Sequence, residues 1–425
     1  MKNPLSAEIL SVGTELLLGS TTNTDARDIS IYLSELGINV FYHTVVGDNP
    51  ERLTKAVEIA RERADIIITT GGLGPTCDDL TKQVLSKAFD LEMVFHEELA
   101  EEMKRYFKEV IGVDTMTENN LQQAYLPAGC TVFHNEWGTA PGCAFESKGV
   151  RVIMLPGPPR ECNAMFKACA MPYLRALSDE VILSHSLNIV GSGESAVESK
   201  LREIMNDLVN PTLAPYAKEG EVMLRITAKA KSEEEAEKMT LPVIEKVRGV
   251  LGDIIYGMDV NSIEQVVFEL LKEKNMTLST AESCTGGFIA KRMTDLRGSS
   301  EVFIGGAVTY ATESKTAVLG VSPELISEYG VISAEVAAEM AKQAKALFNS
   351  SIAISTTGLA GPEGDGINPV GTVFIALATD KGVFVTQLNS GFGRSRVRTL
   401  ASNCAFDMVR RYLTELPVVV DYHRR

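Results

Sequence analysis

Ser283 stands in the run Ala281-Glu282-Ser283-Cys284-Thr285-Gly286-Gly287, where a strand-like pattern over 276–281 gives way to small residues and then to a helical pattern. A hydroxyl at the end of a strand and the start of a helix meets solvent and the positive end of the helix, which favours developing negative charge. Two readings compete for it. Position alone makes Ser283 an N-cap; chemistry makes it a nucleophile, with Cys284 as a rival because thiolates are intrinsically stronger. Gly286 and Gly287 are read as leaving room for a ligand against the backbone.

The familiar partners for such a nucleophile are missing. The five histidines do not cluster, and the one histidine after His185 is His423, in an expected C-terminal tail. Neither a Ser-His-Asp nor a Cys-His arrangement is available, so the base must be another group. Lys315 follows the apolar strand that leads into Thr309-Tyr310-Ala311-Thr312-Glu313-Ser314-Lys315. A lysine serves as a base when burial or a neighbouring cation lowers its pKa; otherwise a lysine on a helix is simply solvated. Tyr310 is placed to relay or orient a proton. Ser355-Thr356-Thr357-Gly358-Leu359-Ala360-Gly361-Pro362 ends another strand in small residues, and it offers hydroxyl and backbone donors to an oxyanion or a phosphate. Residues 363–369 read as a lid. Arg394, just before the last helix, is either a phosphate ligand or a surface arginine.

A second constellation lies near the N-terminus. Gly71-Gly72-Leu73-Gly74-Pro75-Thr76-Cys77-Asp78-Asp79-Leu80-Thr81 follows a buried-type strand and precedes a helix. Small residues there let backbone N–H groups approach an anion, and Gly72, Gly74 and Thr76 are the candidates for a phosphate cradle. Asp78 and Asp79 are read into the first turn of the helix. They either complement its dipole or hold a divalent cation that bridges to a phosphate. The turns at 13–19, at 135–142 and at 155–161 are expected to line the same cleft; alternatively they are plain tight turns.

These residues need a scaffold that brings strand ends together. Over the first ~175 residues strand and helix signals alternate: strands at 9–12, 39–46, 65–70, 131–133, 143–146 and 150–155, with helices at 24–36, from Pro50 to Arg63, and from near Pro159. This alternation predicts a mainly parallel sheet flanked by helices. Strand 181–190, helix 194–208, strands near 212–217 and 221–230, and helix 232–248 read as a small α+β module. From ~261 the α/β alternation returns, with a helix beginning at Ser283 or just after it. The fold class expected is α/β, two three-layer α/β domains joined by a small α+β module. The division expected is 1–175, 176–257, 258–415 and a tail over 416–425.

Composition narrows the function classes. The chain has 425 residues, is 45% hydrophobic and 23% charged, and carries a net charge of −15, an ordinary globular composition. No stretch approaches the ~18 apolar residues of a membrane span, and no secretory h-region precedes the first strand, so the expectation is a cytoplasmic protein without a membrane partner. Seven scattered cysteines without a C-x-x-C pair argue against a disulfide framework or a structural zinc site. The acidic balance argues against nucleic-acid binding.

Residues 13–19, Asn23, 71–81, 138–142 and 155–159 together resemble the molybdopterin-binding-like domain that opens the CinA family (competence/damage-inducible protein A). The family pattern usually has Asp where Thr14 stands. This resemblance implies a metal-dependent pyrophosphatase acting on ADP-ribose, with a divalent cation as cofactor. Region ~260 to ~413 closely resembles the nicotinamide mononucleotide deamidase domain of that family, through A-E-S-C-T-G-G, T-Y-x-x-x-x-K, T-G-x-A-G-P and P-V-G-T. It implies a Ser–Lys dyad of Ser283 and Lys315 assisted by Tyr310 and Thr357, with Arg394 on the substrate phosphate and no cofactor. The family often reads G-D-R where this chain has Gly391-Phe392-Gly393-Arg394. The middle segment resembles the family's KH-type domain. It lacks a G-x-x-G loop and is rich in acids, so a spacer or dimerisation role in a homodimer is expected.

Overall fold

The computed structural model describes residues 5–113, 115–177, 181–391 and 393–422. His423 and Phe392, singled out in the sequence, lie outside the described residues, as do the last three residues of the expected tail and residues 1–4. The chain forms two compact units, Met1–Leu183 with Lys229–Ala236, and Ser184–Ala228 with Glu237–Arg425.

The first unit is built on a six-stranded sheet in the order Asn39–Val46, Ser6–Val12, Ile66–Thr70, Val150–Leu155, Gly142–Ser147, Thr131–Phe133. The first four strands are parallel, and the last two join through antiparallel pairings. The side-chain period of two divides its core into halves. Ile9, Ile66, Ile68 and Ile153 pack with Ile29 and Leu33 of the helix Thr24–Glu35. Leu10, Ile67, Val152 and Met154 pack on the other face with Leu53 and Val57 of the helix Pro50–Arg63. That helix starts where its sequence says it should: Asn49 accepts the N–H of Arg52 at 3.0 Å, and Pro50 needs no donor at the first position. The chain order reverses at Ser6–Val12, whose neighbours on either side are the second and third strands. The loops after Val12 and Thr70 therefore flank a topological switch point, where open α/β sheets bind ligands.

Two further sheets lie mainly in the second unit. A four-stranded sheet, in the order Thr212–Lys218, Glu221–Ala230, Val181–Val190, Ile255–Met258, packs its core on the helices Glu194–Asn206 and Glu233–Leu251. A five-stranded sheet follows, in the order Phe303–Val308, Leu278–Glu282, Ile352–Gly358, Thr372–Ala378, Val383–Asn389. Its first three strands are parallel, and its last two join through antiparallel pairings. Helices cover both faces, Ile263–Glu273 and Arg394–Leu413 among those on one side and Ala334–Phe348 on the other. Among the described residues no helix is long and apolar enough to cross a membrane.

Two local expectations are corrected. Ser283 does not start a helix: residues 283–287 form a turn and the helix runs Phe288–Thr294. Gly286 and Gly287 take φ of 61° and 84°, a left-handed path that a helix start at Ser283 would not allow. Asp78 and Asp79 are not in the first turn of a helix either. That helix is Thr81–Ala88, its N-cap position is Leu80, and its first turn contains no acid. The helix Pro323–Tyr329 went unread in the sequence.

Candidate active site

Three adjacent parallel strands end in register at one edge of the five-stranded sheet. Glu282 is level with Val308 on one side and Thr356 on the other. The residues that follow, Ser283, Thr309 and Thr357, therefore line up across the strand ends. Backbone bonds lock the row: Ser283 N–H donates to the Thr356 carbonyl at 3.0 Å and Thr309 N–H to the Glu282 carbonyl at 2.8 Å. The helix Thr312–Leu319 leaves the Thr309 loop and turns Lys315 back over that edge.

Lys315 is 1% exposed and Ser283 8%, so both lie out of bulk water. The Lys315 Nζ donates to Ser283 Oγ at 3.1 Å and to the Thr309 carbonyl at 2.8 Å. Among the described residues no carboxylate forms an ion pair with Lys315. Burial pulls its pKa below the usual lysine range, against smaller opposing effects of Cys284 and Glu313.

Ser283 is free to face this amine because its neighbour does the capping. Glu282 is fully buried, and its carboxylate accepts Ile289 N–H at 3.0 Å and Ala290 N–H at 2.8 Å. Those are orphan donors of the helix Phe288–Thr294. The N-cap reading of Ser283 is thus displaced by a residue that sequence reasoning passed over; a strand ending in Glu just before a helix was the available signal. Arg398 was missed as well. Its Nε and Nη2 donate to the Thr285 carbonyl at 3.1 and 2.7 Å and hold the turn. Cys284 is buried, and burial pushes its thiol up to about 11, so it stays protonated near neutral pH.

A cavity of about 220 Å³ opens over this row, lined by Ser283, Cys284, Tyr310, Lys315, Thr357, Gly358 and Arg394 among others. Thr357 Oγ1 donates its hydrogen to the Val331 carbonyl at 2.8 Å, leaving lone pairs for a ligand. Gly358 is required by the sheet itself, since a Cβ there would meet the Thr372 carbonyl oxygen at 2.4 Å. Arg394 donates to Tyr310 Oη at 2.8 Å and to the Gly361 carbonyl at 3.2 Å, which puts both at the rim. Gly286 and Gly287 are not part of the cavity lining; they serve the turn. Within loop 363–369, Asp365 accepts the N–H groups of Ile367 and Asn368 at 2.9 and 2.6 Å.

In the first unit the glycine loop is a packed turn. A Cβ on Gly71 would strike the Val12 carbonyl oxygen at 2.2 Å, one on Gly72 the Thr81 Oγ1 at 2.1 Å. A Cβ on Gly157 would lie 3.2 Å from the Gly71 Cα, so the turn after Leu155 does reach this loop. Asp79 accepts Thr76 N–H at 2.8 Å and Thr76 Oγ1 at 2.6 Å; its carboxylate closes the loop, which is why it does not cap the helix. A Cβ on Gly74 would stand 2.6 Å from that carboxylate. Asp78 faces the Cys77 thiol at 3.8 Å. At Thr14, where a carboxylate was expected in related sequences, the Asp48 carboxylate accepts both Thr14 N–H and Oγ1, at 2.9 and 2.8 Å. Among the described residues no group of three His, Cys, Asp or Glu is arranged to hold a metal ion.

Comparison with known proteins agrees along the whole chain. Residues 260–413 match the family model of the CinA C-terminal domain, 8–176 that of the probable molybdopterin binding domain, and 184–257 that of the damage-inducible protein CinA KH domain. A CinA-like protein of Dictyoglomus turgidum is 46% identical over 97% of this chain and 100% of its own length. A putative competence-damage inducible protein of Acetivibrio thermocellus is 45% identical over 97% and 100%. A crystal structure of the protein CinA from Thermoplasma acidophilum, described as of unknown function, aligns at 33% identity with a TM-score of 0.37, covering 40% of this chain and 99% of that one. With relatives this similar from end to end, the chain belongs to the CinA family.

Proposed function

We propose that the C-terminal region is a serine amidase that converts nicotinamide mononucleotide to nicotinate mononucleotide and ammonia through a Ser283–Lys315 dyad. The observation that carries this reading is a buried amine, without an acidic partner among the described residues, 3.1 Å from a buried hydroxyl. In its neutral form Lys315 keeps one N–H on the Thr309 carbonyl and accepts the Ser283 proton with its lone pair. Ser283 Oγ attacks the carboxamide carbon, which the pyridinium ring makes electrophilic. The tetrahedral intermediate collapses as Lys315 returns the proton to the departing nitrogen, and ammonia leaves. Water then attacks the ester, giving its proton to Lys315, and Ser283 recovers it as the acid product departs. Thr357 offers lone pairs to the substrate, and Tyr310 and Arg394 stand at the rim, where Arg394 would take the phosphate. The amidase chemistry calls on no cofactor. Quenching the reaction and mapping the protein by mass spectrometry tests the covalent step. An ester of nicotinate mononucleotide on the Ser283 peptide supports it; the same acyl group on Cys284 defeats it.

For the N-terminal region we propose a nucleotide diphosphate site, read most sharply as a divalent-metal-dependent ADP-ribose pyrophosphatase. Asp78 and Asp79 would hold the cation, which would supply charge neutralisation at the diphosphate. Two carboxylates, one already bound to Thr76, fit a hard cation that keeps waters and leans on substrate phosphates rather than an all-protein cage. The same commitment of Asp79 favours a second reading, a nucleotide- or molybdopterin-binding domain without hydrolysis. Metal-dependent release of AMP from ADP-ribose separates the two; binding without release selects the second. The middle module is proposed as a spacer or dimerisation element.

A further inference from the structure

The four-stranded sheet and the amidase region share more than a peptide link. Val190 and Tyr256 of the first lie in one core cluster with Val267 and Phe406 of the second. Beside that core, the hairpin joining Thr212–Lys218 to Glu221–Ala230 sets its tip on the helix Arg394–Leu413. Lys218 pairs with Glu221, so the turn is Glu219-Gly220. Gly220 takes φ of 78°, the left-handed path that so tight a hairpin needs. A Cβ there would also stand 2.8 Å from the Asn403 side-chain nitrogen and 3.3 Å from Leu400. Asn403 donates to the Gly220 carbonyl at 3.2 Å, and Tyr256 Oη donates to the Glu221 carboxylate at 2.9 Å. All of these residues belong to the second unit.

From Asn403 the contacts continue to the nucleophile turn. Arg292 Nη1 donates to Asn403 Oδ1 at 2.6 Å and to Ser402 Oγ at 2.5 Å, and Nη2 donates to the Glu264 carboxylate at 2.5 Å. The Arg292 side chain is only 12% exposed, and its guanidinium carbon stands 5.8 Å from the centre of the Phe288 ring. Phe288 is the first residue of the helix that follows the Ser283 turn. The Arg398 guanidinium carbon stands 5.6 Å from the centre of the same ring, and Arg398 grips the Thr285 carbonyl. Both arginines are within the ~6 Å reach of cation–π attraction. One ring thus carries two arginines: one is bound by the side chain that holds the hairpin, and the other holds the turn. Asn403 is not part of the cavity lining, so it reaches the chemistry only through other residues.

We propose that Asn403 and Arg292 are positioning residues through which the middle module holds the Ser283 turn in its reactive geometry. This rests on the reading of Ser283 as the nucleophile. The hairpin tip fixes Asn403; Asn403 and Glu264 fix Arg292; the Phe288 ring passes the restraint to Arg398 and the Thr285 carbonyl. A displaced nucleophile loses rate in the chemical step. Arg394 and Tyr310 are held by each other and by the Gly361 carbonyl, so the phosphate end of the substrate keeps its place. The middle module is then part of the amidase machinery rather than a spacer alone.

The test is Asn403→Asp in the full chain, checked for native circular dichroism. The carboxylate keeps an acceptor for Arg292 and removes the donor to Gly220, so it cuts the hairpin link. The kcat for nicotinamide mononucleotide should fall by roughly tenfold, with KM within about twofold of the wild type. Backbone hydrogen exchange over residues 284–288 should quicken. Both effects should vanish in an Arg398→Met background, because changes along one connected set of contacts do not add. Tyr256→Phe, a milder change at the same tip, should show the same split between kcat and KM. Unchanged turnover and exchange in both variants overturns the proposal, as do effects that add in full to those of Arg398→Met. If the wild type releases no ammonia, the amidase reading fails by itself, and hydrogen exchange still decides whether the hairpin holds the turn.

Discussion

The side-chain nitrogen of Lys315 donates to the main-chain carbonyl of Thr309 at 2.8 Å, and this contact orients the amine toward Ser283. Thr309 is itself tied to the strand ending in Glu282, so the base and the hydroxyl are referred to one frame. Burial pulls the Lys315 pKa down while the Glu313 charge props it up. A base must be deprotonated to act, so kcat/KM for the amide substrate should rise with pH through an apparent pKa below the usual lysine value of about 10.4. Glu313→Gln should move that limb to lower pH. Lys315→Arg should be inactive throughout, since a guanidinium keeps its proton. A limb that Glu313→Gln leaves in place, or moves upward, would contradict the assignment.

Glu282 holds the start of the helix Phe288–Thr294 through Ile289 and Ala290. Removing a buried acceptor strands two donors, at a cost of about 1–3 kcal/mol. Glu282→Ala should therefore lower the unfolding free energy by that much, and activity should fall because the Ser283 turn loosens. Equilibrium denaturation in urea reads the first effect and steady-state kinetics the second. Unchanged stability would mean that water replaces the cap.

Much of the scaffold was legible before the structure, for physical reasons that differ by element. The strand at Ile66-Ile67-Ile68 is apolar on both faces because helices cover both faces, and Asn49-Pro50 announces a helix start by its own chemistry. Ser283 was harder. Its partner is 32 positions away, and they meet only because Leu278–Glu282 and Phe303–Val308 pair in parallel and end at the same edge. Nothing local marks Lys315 as buried. The Gly286-Gly287 pair was open to reading as space for a ligand or as a left-handed turn, and the backbone takes the turn. Asp79 was misplaced because its side chain bonds back to Thr76 rather than forward to the helix, a choice that depends on how Gly71 packs on Val12 and Gly157.

Asp407 is fully buried and accepts from Arg410 at 2.6 Å, Arg411 at 2.8 Å and Tyr422 at 2.9 Å. Arg411 also reaches the Asp253 carboxylate at 2.7 Å. Replacing one member leaves buried charge uncompensated, which costs about 3–5 kcal/mol. Asp407→Asn should lose stability on that scale in chemical denaturation. A change under about 1 kcal/mol would show that the network is solvated in solution.

His185 bridges Asp259 at 2.6 Å and Glu237 at 2.9 Å. Burial alone would lower its pKa, but the two carboxylates outweigh it and the net shift is upward. A raised folded pKa gives stability that is fully present below the unfolded value of about 6.5 and is lost as pH rises through the folded pKa. Thermal unfolding of the wild type should therefore lose stability relative to His185→Asn as pH climbs through that window. Parallel curves for the two proteins would contradict the clamp.

The central claim is that Ser283, and not Cys284, attacks the amide. Its most direct measurement is ammonia release from nicotinamide mononucleotide by Ser283→Ala and Cys284→Ala side by side, each checked for native circular dichroism. Ser283→Ala should fall by roughly a thousandfold or more, while Cys284→Ala, which loses a protonated buried thiol, should stay within about tenfold of the wild type. Full activity in Ser283→Ala, or collapse confined to Cys284→Ala, would contradict the account.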